Sequence, residues 1–515
     1  MTGASAVRPV AELLVENSVR YGGKVAFADD RRTVSWAELE RRTGRLAAWL
    51  RIGPGIGRAA RVAFCLADGV ELVEGLLATV RAGAVGVPLS SRATDAELAE
   101  LLADCDPAVL VTDRHHLSRI TRLTAGRSVR LLVTGAGPLP DGVAAWEAPA
   151  ATPSSAPPDD LGLDEPAWLL YTSGTSGAGR AAISSQRSAL WSSAACYLPR
   201  LGLSAADRVL WPLPLSHTYA HSLCILGTTM AGASARITTA REPAALARLV
   251  GEYAPTVLAG VPLTYRQLLD AGLGAVPSLR LCVTAGAPGD PELREETEAR
   301  FGAPLLDGYG STETCGKIAV ESPTGPRVRG SSGMPLPGME VEVRAAAGEE
   351  RAGGDRGFDR NGGPGGDGGV GEIWVRGPGV MLGYHNRPEE TAAVLRDGWY
   401  RTGDLGRLDE HGFLTVTGRA GDRIVRGGEN VDPAEVERVL CGLPGVRDAA
   451  VVGRAHPLLG EVPVAFVVPD RPDLDPAPLL RACAAVLSAH KVPEEVLLTP
   501  AVPRTSGGKP RRALL

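Results

Sequence analysis

The sequence predicts an α/β protein built on sheets covered by helices. Three observations carry that expectation. Helix-period and strand-period segments alternate through most of the chain, the pattern of sheets with helices on their faces. At 515 residues, 44% hydrophobic and 22% charged, the chain can bury several cores. A buried-strand signal, Trp168, Leu169 and Leu170, runs into a turn of small hydroxyl residues and glycines of the kind that wraps an anion with backbone N–H groups.

The elements follow in order. "AELERRTGRLAAWLR" (37–51) has apolar residues at helical spacing, and "RVAFCLA" (61–67) reads as a buried strand. "GVELVEGLLATVRAGAVGVPLS" reads as helix then strand, followed by the helix "DAELAELLADC" and the strand "AVLVTD". Residues 148–158, rich in Pro, Ala and Ser, read as a surface linker. Residues 348–371 are low-complexity and glycine-rich, and a disordered loop between two strands is expected there. The nominal G-x-G-x-x-G at Gly363, Gly365 and Gly368 has no strand before it and no helix after it, so it carries no nucleotide signal.

Composition narrows the function. The net charge of −5 gives no basic field for nucleic acid or an anionic membrane, and small-molecule work is expected. No segment has 18 uninterrupted apolar residues, so no membrane span is expected, and the N-terminal stretch lacks a signal-peptide pattern, which predicts a cytoplasmic protein. Cysteines 65, 105, 196, 224, 282, 315, 441 and 483 show no C-x-x-C spacing and read as reduced, separately buried thiols. Only four of the 54 basic residues are lysines, Lys24, Lys317, Lys491 and Lys509. In so arginine-biased a chain each lysine is a candidate for work that a planar guanidinium cannot do.

The turn "YTSGTSGAGR" comprises Thr172, Ser173, Gly174, Thr175, Ser176, Gly177 and, further on, Arg180, a cation where the common phosphate loop has lysine. "DGYGSTET" (307–314) places a ring that could stack on a base, Tyr309, beside Thr312 and Glu313, a hydroxyl and a carboxylate suited to phosphate and Mg²⁺. "WYRTGDLGRLDEHGFLTVTGRAGDR" supplies Asp404, suited to two ribose hydroxyls, and Arg419, able to reach ribose or phosphate.

Taken together with "LLATVRAGAVGVPLS", "PLPLSHTYAH", "TAGAPGD" and the terminal "RTSGGKPRRALL", these stretches resemble, in order and spacing, the adenylate-forming superfamily of acyl- and aryl-CoA synthetases, peptide-synthetase adenylation domains and luciferases. The resemblance covers nearly the whole chain. It implies a large N-terminal domain of helix-covered mixed sheets, residues 1–420, and a small mobile α+β lid domain, residues 421–515, turning on a hinge at Gly421. Glycine there leaves the backbone free to rotate.

The resemblance also implies roles. Thr172 to Gly177, with Arg180, would hold the β- and γ-phosphates of ATP, with Thr175 and Glu313 at Mg²⁺. Gly286 and Ala287 would line the adenine, Asp307 would meet its amino group, Tyr309 would stack on it between Gly308 and Gly310, and Asp404 and Arg419 would hold the ribose. Thr312 would contact the α-phosphate and His217 the reacting centre. Lys509 would be the catalytic lysine and Gly428, in "RGGEN", would face the acceptor thiol. Tyr219, Gly260, Val261 and Cys315, with Gly286 and Gly308, would form the acid pocket.

The implied reaction joins a carboxylic acid to AMP with loss of pyrophosphate, then to the thiol of coenzyme A. Positioning and charge neutralisation do most of such work. No Asp occupies 212–221 to bind an α-ammonium, and wall glycines favour a sizeable aryl, polycyclic or fatty acid. A carrier-protein pantetheine thiol as acceptor, a homologue keeping one half-reaction, and an oxygenase of luciferase type stay open. His217 and His221, one helical turn apart, lack a nearby carboxylate in sequence and are not read as a metal pair. Gly179-Arg180-Ala181 stands where the family has Pro-Lys-Gly, so the charge is kept and the rigidity lost; a mobile, water-exposed cation is expected.

Overall fold

The computed structural model describes residues 7–151, 161–172, 179–286, 291–344, 369–419, 424–471, 474–503, 510 and 512–515. Two large sheets form its body. In the first, strands Val85–Pro88, Arg61–Cys65, Val109–Asp113, Arg130–Thr134 and Ala144–Ala145 run parallel, as the alternating pattern predicts. It becomes mixed at one edge, because Pro166–Thr172 returns as the antiparallel Arg180–Ser185, the two halves of a hairpin whose turn is the hydroxyl-glycine loop. The second sheet has nine strands, with Leu305–Ser311, Leu281–Thr284 and Val257–Gly260 adjacent and parallel. Gly316–Val320 adds antiparallel to Leu305–Ser311.

Helices form where the apolar period is 3.6. Trp36–Ile52 opens on Ser35, whose hydroxyl accepts from Glu38 N–H while the Glu38 carboxylate caps Ser35, and it buries Trp36, Leu39, Thr43, Leu46 and Leu50 along one face. Val70–Arg81 is buried all round, so its charges need partners inside: Arg42 takes Glu74, and Arg81 reaches Glu40. One apolar core joins the two sheets through these helices.

A third sheet contains Glu340–Arg344, Gly371–Arg376, Trp399–Leu408 and Leu414–Arg419. The first two pair antiparallel, so the glycine-rich stretch does connect two strands; 345–368, including Gly363, Gly365 and Gly368, lie outside the described residues. So does most of the 148–158 linker. A fourth sheet, containing Ile424–Arg426, Glu429–Val431, Val446–His456, Gly460–Pro469 and Glu495–Leu498, packs on helices Pro433–Cys441 and Pro476–Val486 around its own core. The chain is therefore a larger α/β body of mixed sheets followed by a smaller α+β unit.

Seven cysteines are buried; Cys441 is exposed, contrary to the expectation for all eight. His221 lies in the π-helical segment Ala220–Gly227, buried against Trp168 with ring centroids 4.4 Å apart, whereas His217 is half-exposed. Among the described residues no group of three His, Cys, Asp or Glu could hold a metal, and no helix is long and apolar enough to cross a membrane.

Candidate active site

The ends of the parallel strands in the second sheet gather most of the expected residues. Asp307 lies on Leu305–Ser311, 7% exposed, with Oδ2 accepting from the Ser332 hydroxyl at 3.0 Å and Oδ1 buried without a hydrogen-bond partner. Burial pushes its carboxyl pKa up, against Lys317 and Ser332, which pull it down. It lines a solvent-open depression with Pro262, Thr284, Arg294 and Ser331. An open carboxylate oxygen there fits an amino donor such as that of adenine.

Two residues on, the Tyr309 hydroxyl donates to Asp404 Oδ2 at 2.6 Å, across 95 residues of chain. Asp404 is held from behind by its own N–H bond to Thr402 Oγ1 at 3.0 Å, and its strand neighbour in register is Arg419. Thr312 and Glu313 occupy the 3₁₀ turn Thr312–Thr314 that follows. Glu313 is 7% exposed, and its Oε1 accepts from the Tyr384 hydroxyl at 2.8 Å. Burial and that carboxylate push the Tyr384 phenol well above its ordinary range. A single carboxylate with one oxygen committed suits a Mg²⁺ ion that takes its other ligands from phosphates and water.

Arg180 is placed differently from the expected free cation. It begins a strand, its guanidinium is 20% exposed, its Nε lies 2.5 Å from Glu390 Oε2, and it sits 5.5 Å over the Tyr384 ring. The reason is tertiary: Gly383–Tyr384 pairs with Arg180–Ser185 and carries helix Pro388–Val394 and its Glu390 alongside. Thr172 closes the preceding strand opposite Arg180; Ser173, Gly174, Thr175, Ser176 and Gly177 lie outside the described residues.

The acid-pocket candidates meet the smaller unit. Gly428, at φ +86°, brings its carbonyl against Gly286 and its Cα against Val261, where a Cβ on Gly428 would sit 2.9 Å from Val261 Cγ1. Beside it Glu429 accepts from His217 Nε2 at 3.2 Å. The negative Glu429 raises the His217 pKa; burial would raise that of Glu429, but His217 holds it well below the carboxylate range. Tyr219 donates to Val283 O at 3.0 Å, Gly260 packs on Tyr265, and Cys315 turns its thiol to Ser184 and Ser188. Gly310 pairs with Lys317 across the hairpin, where a Cβ on it would strike the Gly316 carbonyl. Ala287, Gly421 and Lys509 lie outside the described residues.

Three residues of this site carry no sequence motif. Tyr384 and Glu390 come from a segment remote in sequence, and nothing local marks them. Lys317 does have a signal, its rarity: its Nζ donates to Gly308 O at 2.9 Å and lies 4.7 Å over the Tyr219 ring.

The model described as "AMP-binding enzyme" matches residues 14–385, and "AMP-binding enzyme C-terminal domain" matches 435–509. A naringenin synthase of Pestalotiopsis fici is 38% identical over 98% of this chain, which spans only 18% of that protein's length. A feruloyl-CoA synthase of an Amycolatopsis species is 35% identical over 96% of this chain and 94% of its own. An o-succinylbenzoate CoA synthetase from Bacillus subtilis, bound with its product analogue, superposes with TM-score 0.83 at 27% identity over 99% of this chain and 98% of its own. The chain belongs to the AMP-binding enzyme family, the adenylate-forming superfamily that includes acid–thiol ligases acting with ATP and coenzyme A.

Proposed function

We propose that this chain activates a carboxylic acid with MgATP and transfers the acyl group to the thiol of coenzyme A. An acid oxygen attacks the α-phosphorus, the α–β bridging bond breaks, and pyrophosphate leaves; the thiol sulfur then attacks the acyl carbon, and AMP leaves with the electron pair of the acyl–oxygen bond. The observation that carries the reading is the Tyr309–Asp404 pair standing beside Asp307, whose Oδ1 is open: a ring, a ribose-sized acceptor and an adenine-sized acceptor converge on one strand end.

In this reading Asp307, Gly286, Ala287 and Tyr309 bind adenine, Asp404 and Arg419 the ribose, and Thr172 to Gly177 the outer phosphates. Thr312 meets the α-phosphate, and Gly308 and Gly310 flank the ring of Tyr309. Bound at Glu313 and Thr175, Mg²⁺ would neutralise phosphate charge. His217, Tyr219, Gly260, Val261 and Cys315 surround the acid, an aryl, polycyclic or fatty one. Lys509 supplies a point donor to the adenylation transition state.

The 1–420 and 421–515 units would then alternate about Gly421. The contact of Gly428 with Gly286 and Val261, and the likeness to a synthetase carrying a CoA product analogue, support the thioester-forming arrangement, with Gly428 towards the thiol. A carrier-protein thiol is a second reading, favoured by the match to a stretch within a much longer naringenin synthase. We place the work in the cytoplasm, where ATP and reduced thiols abound. Loading assays with free CoA and with a phosphopantetheinylated carrier protein, at equal thiol, test the acceptor. Faster thioester formation on CoA is expected; transfer to the carrier alone would reverse the assignment.

A further inference from the structure

Lys317 is a buried cation whose anionic neighbour, Asp307, makes no ion pair with it. It lies on Gly316–Val320 at 3% exposure, its N–H donates to Ser192 Oγ at 3.2 Å, and its ammonium has one oxygen acceptor, Gly308 O. No carboxylate lies within ion-pair distance of Nζ among the described residues. Lys491, by contrast, spans Glu97 and Glu435 at 2.7 and 3.0 Å. The space that Nζ fills exists because position 308 is glycine: a Cβ there would sit 2.9 Å from it.

An ammonium has three N–H donors, and burying it with one acceptor and one aromatic face is costly unless something else completes the shell. Two nearby hydroxyls are spent elsewhere. The Tyr219 hydroxyl is committed to Val283 O, and Ser222 Oγ to the Tyr197 hydroxyl at 2.9 Å. Tyr219, partly exposed and two residues from the half-exposed His217, carries the Lys317 ammonium 4.7 Å over its ring.

We propose that Lys317 is a specificity-determining residue, selecting carboxylic acids that carry a second oxygen acceptor, a ring hydroxyl or a second carboxylate, remote from the reacting carboxyl. The inference rests on the acid-activating function proposed above and names its substrate class. An acid lacking that oxygen strands the ammonium, and sites built around a polar partner reject such analogues by large factors.

The test compares wild type, Lys317→Met and Lys317→Gln with cinnamic, 4-hydroxycinnamic and 4-carboxycinnamic acids and the matching benzoic acids. It reads both ATP–pyrophosphate exchange and equilibrium binding by calorimetry. Wild type should favour an oxygenated acid over its parent by about 100-fold or more in kcat/KM and in binding. Preference for the hydroxy or the carboxy acid identifies which oxygen is selected. Lys317→Met should bring the ratio within about tenfold, acting through KM, and Lys317→Gln should retain part of the hydroxyl preference. An equal ratio in wild type and Lys317→Met, or no preference in wild type, overturns the proposal. Exchange absent with every acid while the binding ratio still shifts would instead sink the activation function and leave the role of Lys317 standing.

Discussion

Tyr309 and Asp404 are tied by a 2.6 Å hydrogen bond that sets the ring and the carboxylate relative to each other. Asp404→Ala removes both the proposed ribose acceptor and the anchor of the ring, and the KM for ATP should rise about 100-fold, the scale of losing two hydrogen bonds to a charged group. Tyr309→Phe keeps the ring and should cost less than about tenfold. ATP titrations of pyrophosphate exchange check both; equal losses would mean that the two do not act as described.

The Arg180–Glu390 pair changes what loop mutations should do. Arg180→Ala should slow adenylation roughly tenfold, and Glu390→Gln, which frees the guanidinium for phosphate, should leave it unchanged or raise it. With Glu390→Gln already in place, Arg180→Ala should cost a different factor, because the two groups are in contact. A double-mutant cycle in exchange rate reads this, and additivity within error would show that the pair is not coupled to the phosphates.

The folded arrangement at the unit boundary should depend on pH. Glu429, its pKa depressed by His217, stabilises it above the ordinary carboxylate value near 4.5, and that contribution is lost as pH falls through the depressed value. His217, its pKa raised by Glu429, contributes fully below about 6.5, and that part is lost as pH rises through its raised value. His490, Arg92 and Asp68 also face the pair. His217 is 48% exposed, so the effect is at most about 1 kcal/mol. A distance probe between the two units should report the present arrangement most populated between these limits, with the alkaline loss abolished in His217→Gln; a flat profile in wild type contradicts it.

Lys491 joins Glu97 of helix Asp95–Cys105 to Glu435 of helix Pro433–Cys441. Burial would raise the Glu97 pKa, but Lys491 and Ser488 bring it down to about 2. Lys491→Met leaves two buried carboxylates facing each other and should destabilise this contact by about 3 kcal/mol, seen as faster hydrogen exchange in 433–441. Unchanged exchange there would show that the lysine is not holding the two helices.

The fold was legible because its signals are local: the 3.6-residue period of 37–51 and the buried-strand run of 168–170. What escaped is tertiary. Glu390 reaches Arg180 across 210 residues only because Gly383–Tyr384 adds to the hairpin's edge, so an exposed cation became a paired one. Lys317 stood out by composition, yet its place under Gly308 depends on the antiparallel pairing of two strands that no periodicity reveals. Sulfur and hydroxyl contacts likewise turned Cys315 towards Ser184 and Ser188.

The central claim is that this chain makes an acyl-adenylate and passes it to a thiol, and the most direct measurement separates the two halves. Wild type and Lys509→Ala are given a panel of aryl, polycyclic and fatty acids with MgATP and coenzyme A, and each is also given synthetic acyl-AMP with coenzyme A. Wild type should release AMP, pyrophosphate and thioester in equal amounts with at least one acid. Lys509→Ala should lose several orders of magnitude in pyrophosphate exchange while making thioester from supplied acyl-AMP at close to the wild-type rate. Wild-type exchange indistinguishable from an enzyme-free blank with every acid, or equal loss of both half-reactions in Lys509→Ala, would contradict the account.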